Sequence, residues 1–258
     1  KCGSGAVFAE DRESERLART LVSSGLAAGL PTVAVLSDMT SPLGRTVGTA
    51  NELSEAIDCL KGDGPGDLRA LSLELVSRML VSGGVCDSAS AGWASAVRAL
   101  DAGEAYERLE RMVVAQGGDA SVLMDHHSLV GESEKLVVRA SVGGWVVGLD
   151  ALRIGRVAAE LGASRSSAGT VVDGSAGVRI VSRVGCEVSA GDAVLELRSA
   201  DRRRLERAES LAMSAIEIVD APGVPRELVL GRIDASNLDV STWDESNRGP
   251  SELDESNR

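Results

Sequence analysis

The sequence has very few aromatic residues: one Phe, one Tyr and three Trp make up 2% of its 258 residues. Positive charge is also scarce, since 27 Lys and Arg face 39 Asp and Glu and leave a net charge of −12. Proteins that bind nucleic acids use basic side chains for the phosphates and aromatic rings for the bases, so this composition argues against nucleic-acid binding. Long apolar runs are missing too, and we predict no membrane-spanning helix.

Cysteines are few and lie far apart, in no spacing typical of a metal site: Cys2, Cys59, Cys86 and Cys186. This usage is typical of a reducing compartment, and we predict a cytoplasmic protein. The chain begins at Lys1 with no initiator Met and no signal-peptide pattern. Its first residues form a glycine turn with no strand before it, so we expect a fragment of a longer chain.

The first half of the chain has the pattern of an α/β protein. Apolar residues recur at helical spacing over 10–29, and a short β-branched run over 32–36 follows. Such a run is typical of a buried parallel strand, and a helix followed by that strand is half of a βαβ unit. More helices are predicted up to Gly118. We therefore assign residues 1–120 to the downstream part of a parallel α/β domain.

Near residue 130 the pattern changes to short strands separated by glycine turns, interrupted by helices at about 151–161 and 200–218. This predicts a separate α+β domain over 130–233. The remaining stretch, 234–258, is acidic and contains Asp-Glu-Ser-Asn-Arg twice. It has almost no apolar residues to bury, so we predict a disordered tail.

Two loops are candidate sites. Gly3-Ser4-Gly5-Ala6 is either an anion cradle, in which backbone amides approach a phosphate, or a tight turn after a strand. The loop over 37–48 follows the predicted strand of 32–36, at the edge where open α/β sheets bind ligands. Backbone carbonyls of this loop and the carboxylate of Glu55, one to two turns into the next helix, are ligands that suit a hard cation.

Other patterns favour structural roles. His126 and His127 are the only histidines, and side chains of neighbouring residues in a strand point to opposite faces, so we predict a solvated pair in a loop. No Ser has a partner His at a hydrolase spacing. Residues 184–195 have the sequence pattern of a biotinyl- or lipoyl-type β module, in which Gly-Asp forms the turn between two short strands. The exposed Lys that carries the prosthetic group in such modules is missing.

Taken in order, several segments resemble the thymidine phosphorylase/pyrimidine-nucleoside phosphorylase family. Residues 1–8, Lys-Cys-Gly-Ser-Gly-Ala-Val-Phe, are similar to the family's Lys-x-Gly-Ser-Gly-Ala-Phe-Met. Further similar segments lie at 37–53, 62–69, 115–119, 161–165 and 184–192. Anthranilate phosphoribosyltransferases share the first architecture but lack the carboxyl-terminal module, so the order of segments favours the phosphorylases.

The resemblance implies a fold and an activity. The fold would be an incomplete parallel-sheet nucleoside phosphorylase domain followed by an α+β carboxyl-terminal domain of the barrel-sandwich/hammerhead type. The activity would be the conversion of a pyrimidine nucleoside and phosphate to the free base and (deoxy)ribose 1-phosphate. The family's catalytic residues lie upstream of the segment matching Lys1, so we expect this chain alone to be inactive. The full-length protein would be a homodimer.

The resemblance also implies site residues. Val7 aligns with a side chain that walls the pyrimidine pocket, often Phe in bacterial members. Leu43, Thr46 and Glu55 align with a potassium site, where the first two supply carbonyls and the third a carboxylate. The family's Gly-Asn-Ala-Leu-Glu-Val differs from the sequence at 48–53, which reads Gly-Thr-Ala-Asn-Glu-Leu. The alternative function is a non-enzymatic binding or scaffold module built on the lipoyl-like domain.

Overall fold

The computed structural model describes residues 1–164 and 171–238 of the chain. Within them lie seven α-helices: α1 (Asp11–Ala27), α2 (Thr49–Lys61), α3 (Gly66–Ser82), α4 (Ala89–Asp101), α5 (Glu104–Ala115), α6 (Ala151–Leu161) and α7 (Arg202–Ser214). Two short 3₁₀ helices, Ala120–Leu123 and His126–Val130, connect α5 to the following strands. Most of the predicted disordered tail, from residue 239 onward, lies outside the described residues.

Nine strands form three small antiparallel sheets. The strands are β1 (Ala34–Ser37), β2 (Thr46–Val47), β3 (Glu134–Arg139), β4 (Gly144–Leu149), β5 (Gly177–Ile180), β6 (Glu187–Val188), β7 (Ala193–Ser199), β8 (Ile216–Val219) and β9 (Val229–Ile233). Their orders are β1-β9, β2-β5-β7-β3 and β6-β4-β8. Both β1 and β2, from the first half of the chain, therefore pair with strands from the second half.

The prediction of a buried parallel strand differs from the structure. β1 is half-buried along most of its length, and its ladder with β9 is antiparallel, with Ala34 opposite Ile233. Parallel pairing in the described residues is limited to one bridge, between Cys2 and Asp38. An apolar run indicates that a strand is covered, but it does not indicate the direction of the neighbouring strand, and here that neighbour comes from far along the chain.

The largest hydrophobic core lies in the second half of the chain, between the two larger sheets and helices α6 and α7. Its fully buried members are aliphatic, as the scarcity of aromatic residues requires; they include Val146, Ile154, Val157, Leu161, Val194, Leu195, Leu197 and Leu205. A second, smaller core is made by Ala18 and Val22 of α1 with Ile233 of β9. Burying these side chains contributes roughly 1.5–3 kcal/mol each.

Boundaries of the helices agree closely with the periodicity, with one exception. The helix predicted over 200–218 is divided: α7 ends at Ser214, and the remaining residues form β8. β8 pairs with β4, with Ile216 opposite Leu149. Alternation of burial along Ile216–Val219 follows the strand period of two, which the preceding helical pattern masked.

No helix among residues 1–164 and 171–238 is long and apolar enough to cross a bilayer. The four cysteines all lie in these ranges and all are free thiols.

Candidate functional site

The glycine turn of residues 3–5 lies against the loop that follows β1. Cys2 donates its amide to the Ser37 carbonyl at 2.8 Å, and the Gly5 amide donates to the Met39 carbonyl at 3.0 Å. Gly3 has φ +121°, and a Cβ there would come within 2.6 Å of the Thr40 amide nitrogen. Only glycine allows both this backbone conformation and this close approach. The turn is thus packed on the carboxyl end of β1.

Its amides help to choose between the two interpretations of the turn. In addition to the bonds of Cys2 and Gly5, the Ala6 amide donates to the Gly3 carbonyl at 3.0 Å. Of the four amides of residues 3–6, those of Gly5 and Ala6 are bound to carbonyls and cannot also bind an anion, which favours a tight turn over a phosphate cradle.

The loop after β1 is held by its own polar side chains. The Thr40 hydroxyl donates to Asp38 Oδ2 at 2.8 Å, and the Thr40 amide donates to Asp38 Oδ1 at 3.2 Å. Arg226, from the segment between β8 and β9, forms ion pairs with Asp38 and with Asp11 at the start of α1. These contacts order the loop around a cavity of about 620 Å³ at the carboxyl end of β1.

Val7, the predicted wall of a base pocket, lies just beyond the glycine turn. Its side chain is 92% exposed. Phe8 beside it is half-buried, and its carbonyl accepts a hydrogen bond from the Ser14 hydroxyl at 3.2 Å. Val7 therefore presents an apolar surface to solvent on a backbone that is fixed to α1 on one side and to the loop after β1 on the other.

The predicted cation ligands are only partly brought together. Thr46 and Glu55 both line a cavity of about 650 Å³, whereas Leu43 lines the other cavity, beside Asp38 and Thr40. Gly44, with φ +76°, lies directly against the Glu55 carboxylate, where any Cβ would clash. The loop thus wraps closely around this carboxylate.

Burial is the main electrostatic influence on the Glu55 carboxyl. Burial raises the pKa of the Glu55 carboxyl above its usual value, and the negative charge of Asp67 raises it further, against the backbone amides of Arg45 and Thr46, which lower it. The Arg45 amide donates to the two carboxylate oxygens at 2.9 and 3.1 Å. The Thr46 hydroxyl also favours the charged form but is buried without a hydrogen bond of normal geometry. A buried oxygen without a partner beside a desolvated carboxylate fits a cation.

The turn that resembles a lipoyl-type module joins two sheets. β6 belongs to one sheet and β7 to another, and Gly191 between them has φ +94°. Asp192 Oδ2 accepts the Ser189 amide at 2.8 Å. The turn contains no lysine; Lys135, the nearest in the second half of the sequence, lies on β3 at 3.8 Å from Glu196. A structural role for this turn stays a prediction.

The prediction of a solvated histidine pair is wrong for His126. His126 and His127 lie in a 3₁₀ helix, not in an extended segment, and His126 is only 4% exposed. Both rings face Asp58 on α2. In a 3₁₀ helix neighbouring side chains are separated by about a third of a turn, so two consecutive rings can approach one carboxylate. No signal in the sequence links positions 58 and 126.

Comparisons with known proteins place these features in context. The profile described as "Pyrimidine nucleoside phosphorylase C-terminal domain" matches residues 145–219. The chain is 37% identical to a thymidine phosphorylase of Mycobacterium tuberculosis over 233 residues, which is 90% of this chain and 52% of that protein. It is 34% identical to a pyrimidine-nucleoside phosphorylase of Staphylococcus aureus over 221 residues, 85% of this chain and 51% of that protein.

The chain thus spans about half the length of the curated relatives it matches. The profile covers β4 to β8 with α6 and α7, which is most of the larger core. The matches to full-length relatives extend beyond this domain to most of the chain, as the ordered motifs predicted. Over 85–90% of its length this chain is similar to thymidine and pyrimidine-nucleoside phosphorylases, and residues 145–219 match the carboxyl-terminal domain of pyrimidine nucleoside phosphorylases.

Proposed function

We propose that the chain forms part of an enzyme that cleaves pyrimidine nucleosides with phosphate, giving the free base and (deoxy)ribose 1-phosphate. The observation that carries the proposal is the glycine turn held at the carboxyl end of β1, with Val7 exposed beside it, in a chain whose relatives are named as phosphorylases of thymidine and pyrimidine nucleosides. Ligands of open α/β sheets bind at the carboxyl ends of parallel strands, and the bridge between Cys2 and Asp38 at this end of β1 is parallel.

The chemistry assigns a limited role to this chain. In phosphorolysis the sugar gains positive charge and the leaving base gains negative charge, so catalysis needs phosphate below C1′ and donors aimed at the base. The family supplies those groups from the part upstream of the segment matching Lys1. The contribution of this chain is positional: Val7 supplies apolar surface for one face of the base, and the contacts between Asp38 and Thr40 hold the supporting loop in place.

An assay of base release tests this proposal. The chain by itself is compared with a chimaera in which it follows the upstream part of the Mycobacterium tuberculosis relative, both supplied with phosphate and with thymidine or uridine. We expect phosphate-dependent release of thymine from the chimaera and none above background from the chain alone. A folded chimaera that releases neither thymine nor uracil would overturn the proposal.

Variants of the chimaera examine Val7 specifically. Val7→Asp places a charge where the base would pack, so we expect KM for thymidine to rise about tenfold, a loss of roughly 1.4 kcal/mol of binding, with kcat little changed. Val171→Asp is the matched control, since Val171 is 88% exposed but lies elsewhere in the chain. Equal effects of the two substitutions would remove Val7 from the pocket.

We further propose that potassium binds between Thr46 and the carboxylate of Glu55. The ion would supply positive charge to the desolvated carboxylate and a partner to the buried hydroxyl, and so stabilise the loop that joins β1 to α2. If potassium binds with a dissociation constant near 10 mM, 100 mM KCl stabilises the folded state by about 1.4 kcal/mol. We expect Tm in 100 mM KCl to exceed Tm in tetramethylammonium chloride by roughly 3–5 °C.

Substitution of Glu55 checks the location of this ion. Glu55→Gln removes the charge, and we expect the difference in Tm between the two salts to disappear. Asp63→Asn is the control, because Asp63 lines the same cavity without being a predicted ligand. A Tm that is equal in both salts for the unsubstituted chain contradicts the potassium site.

A further inference from the structure

Asp58, His126 and His127 form a cluster that the proposed phosphorolysis does not use. One ligand atom from each, Asp58 Oδ1 and the two imidazole Nε2 atoms, lie within 4.8 Å of one another. Nε2 of His126 is 2.6 Å from the carboxylate oxygen, and Nε2 of His127 is 3.5 Å from it. Two imidazoles thus converge on a single carboxylate oxygen, although these are the only histidines of the chain.

We propose that this cluster binds a divalent ion of the zinc type. Two imidazole nitrogens and one carboxylate oxygen are the protein ligands of many zinc sites with an open coordination position. At metal–ligand distances of about 2.0–2.2 Å, tetrahedral ligand atoms are roughly 3.3 Å apart. His127 already meets this spacing, and Asp58 and His126 need to separate by only about 0.7 Å.

The surrounding groups fix the orientation of both rings, and the Ser54 hydroxyl can accept the Nδ1 proton of His127 as partners of metal-binding histidines do. Nδ1 of His127 is 3.0 Å from the Ser54 hydroxyl, and Nδ1 of His126 is 3.2 Å from Lys61 Nζ. The two rings lie side by side, with centroids 4.3 Å apart. Their Nδ1 atoms are thus engaged with α2, and their Nε2 atoms remain directed to the carboxylate.

The cluster also has a route to solvent. Asp58 and His127 line the cavity of about 650 Å³, and the side chain of His127 is 70% exposed. His126, by contrast, is buried. An ion can therefore enter from the cavity, and water can occupy its open position. Once bound, the ion would join α2 to the 3₁₀ helix that begins at His126, a contact between segments almost 70 residues apart.

Lys61 contacts His126 and provides a further test of the zinc site. Its ammonium donates to the Leu123 carbonyl at 2.9 Å and faces Nδ1 of His126, which then acts as an acceptor while Nε2 carries the proton. Binding of the ion needs the lone pair of Nε2, so the single ring proton moves from Nε2 to Nδ1 by exchange with solvent, with no net release. The neutral, metal-bound imidazole then carries its proton on Nδ1, where Lys61 is a competing donor. Lys61→Gln offers an amide oxygen instead, so it should strengthen binding.

Calorimetric titration of the tag-free chain with ZnCl₂ tests the site, and cobalt absorption reports the ligands. We expect one zinc ion per chain, with a dissociation constant of roughly 1 μM. His127→Asn and Asp58→Asn should each weaken binding at least tenfold, whereas Lys61→Gln should tighten it about threefold or more. Cobalt should show the visible bands of a tetrahedral site without the intense near-ultraviolet band of a thiolate ligand.

Asp63→Asn is the matched control and should leave zinc affinity unchanged, since Asp63 is an acidic neighbour in the same cavity. If Asp58→Asn unfolds, His127→Asn decides, because the exposed ring can be lost without opening a core. No saturable binding, an equal effect of all acidic substitutions, or a cobalt–thiolate band would overturn the proposal. The titration involves no nucleoside, so its outcome is independent of the phosphorolysis assay.

Discussion

Replacement of Gly64 by alanine is expected to lower the free energy of unfolding by about 3 kcal/mol and Tm by roughly 9 °C. Gly64 lies in the turn between α2 and α3. A Cβ at this position would be 2.7 Å from the backbone nitrogen of Cys59 and 2.5 Å from its Cβ. Because the obstacle is largely helix backbone, it cannot rotate away as the end of a long side chain would, and the turn must move.

Gly66, two residues further along, provides the matched control. It is the first residue of α3, and a Cβ built on it meets nothing within 4 Å. Gly66→Ala should be neutral or slightly stabilising, because alanine loses less conformational entropy in a helix than glycine does. Guanidinium unfolding followed by circular dichroism measures both. A Gly64→Ala protein within about 0.5 kcal/mol of the parent would show that the turn adapts to the extra methyl group.

Removal of the Glu74 carboxylate is the second change with a large expected effect. Glu74 of α3 is 8% exposed and accepts hydrogen bonds from Arg232 of β9 at 2.5 Å and from Arg78 at 2.9 Å. Glu74→Ala leaves both guanidinium groups without this partner, and we expect a loss of about 2 kcal/mol. The figure lies below the range for fully buried pairs because the two arginines are partly exposed.

Glu107 on α5 is the control for this substitution. It pairs with Arg111 at 3.6 Å, and both side chains are more than half exposed. Glu107→Ala should therefore change stability by less than about 0.5 kcal/mol. Guanidinium unfolding measures both losses. Equal losses at positions 74 and 107 would show that the ion pairs between α3 and β9 stabilise the fold no more than an exposed ion pair does.

The same contact predicts a dependence on pH. The hydrogen bond from Arg232 holds the pKa of Glu74 below its ordinary value of 4.5, against burial, which raises it. A lowered pKa in the folded state means that the stabilisation is complete above pH 4.5 and is lost as the pH falls through the folded pKa. Glu74→Gln should remove this part of the acid sensitivity, so the stability difference from the parent should shrink below pH 4.5.

Much of the local structure was predictable because periodicity reports burial along one segment. Helices α1 to α5 each end close to a glycine, and Gly62, which follows α2, has the left-handed conformation. Strands of only two residues, β2 and β6, were missed because two residues cannot show an alternation. The α7–β8 boundary was missed because a helical pattern runs directly into a strand with no turn signal.

Some features of the candidate sites were also predictable from the sequence, and others were not. The residue pattern indicated the glycine turn and Glu55 as site candidates, and the resemblance added Val7, because each lies in a short contiguous stretch of sequence. The charge environment of Glu55 was not accessible, since it depends on Asp67, which approaches from the next helix. The proximity of Asp58 to the two histidines was likewise not predictable. The hydrogen bond of 2.6 Å between Asp58 and His126 connects positions 68 residues apart.

The sequence by itself determined the aliphatic core, the order of the helices and the resemblance to the phosphorylases, since these depend on composition and on motifs within short segments. Only the tertiary structure decided that β1 pairs with β9, that β2 joins the sheet of β5, and that two histidines face Asp58. The physical reason is that strand pairing and side-chain convergence depend on where distant segments meet. A run of residues encodes which of its faces is buried, but not what covers that face.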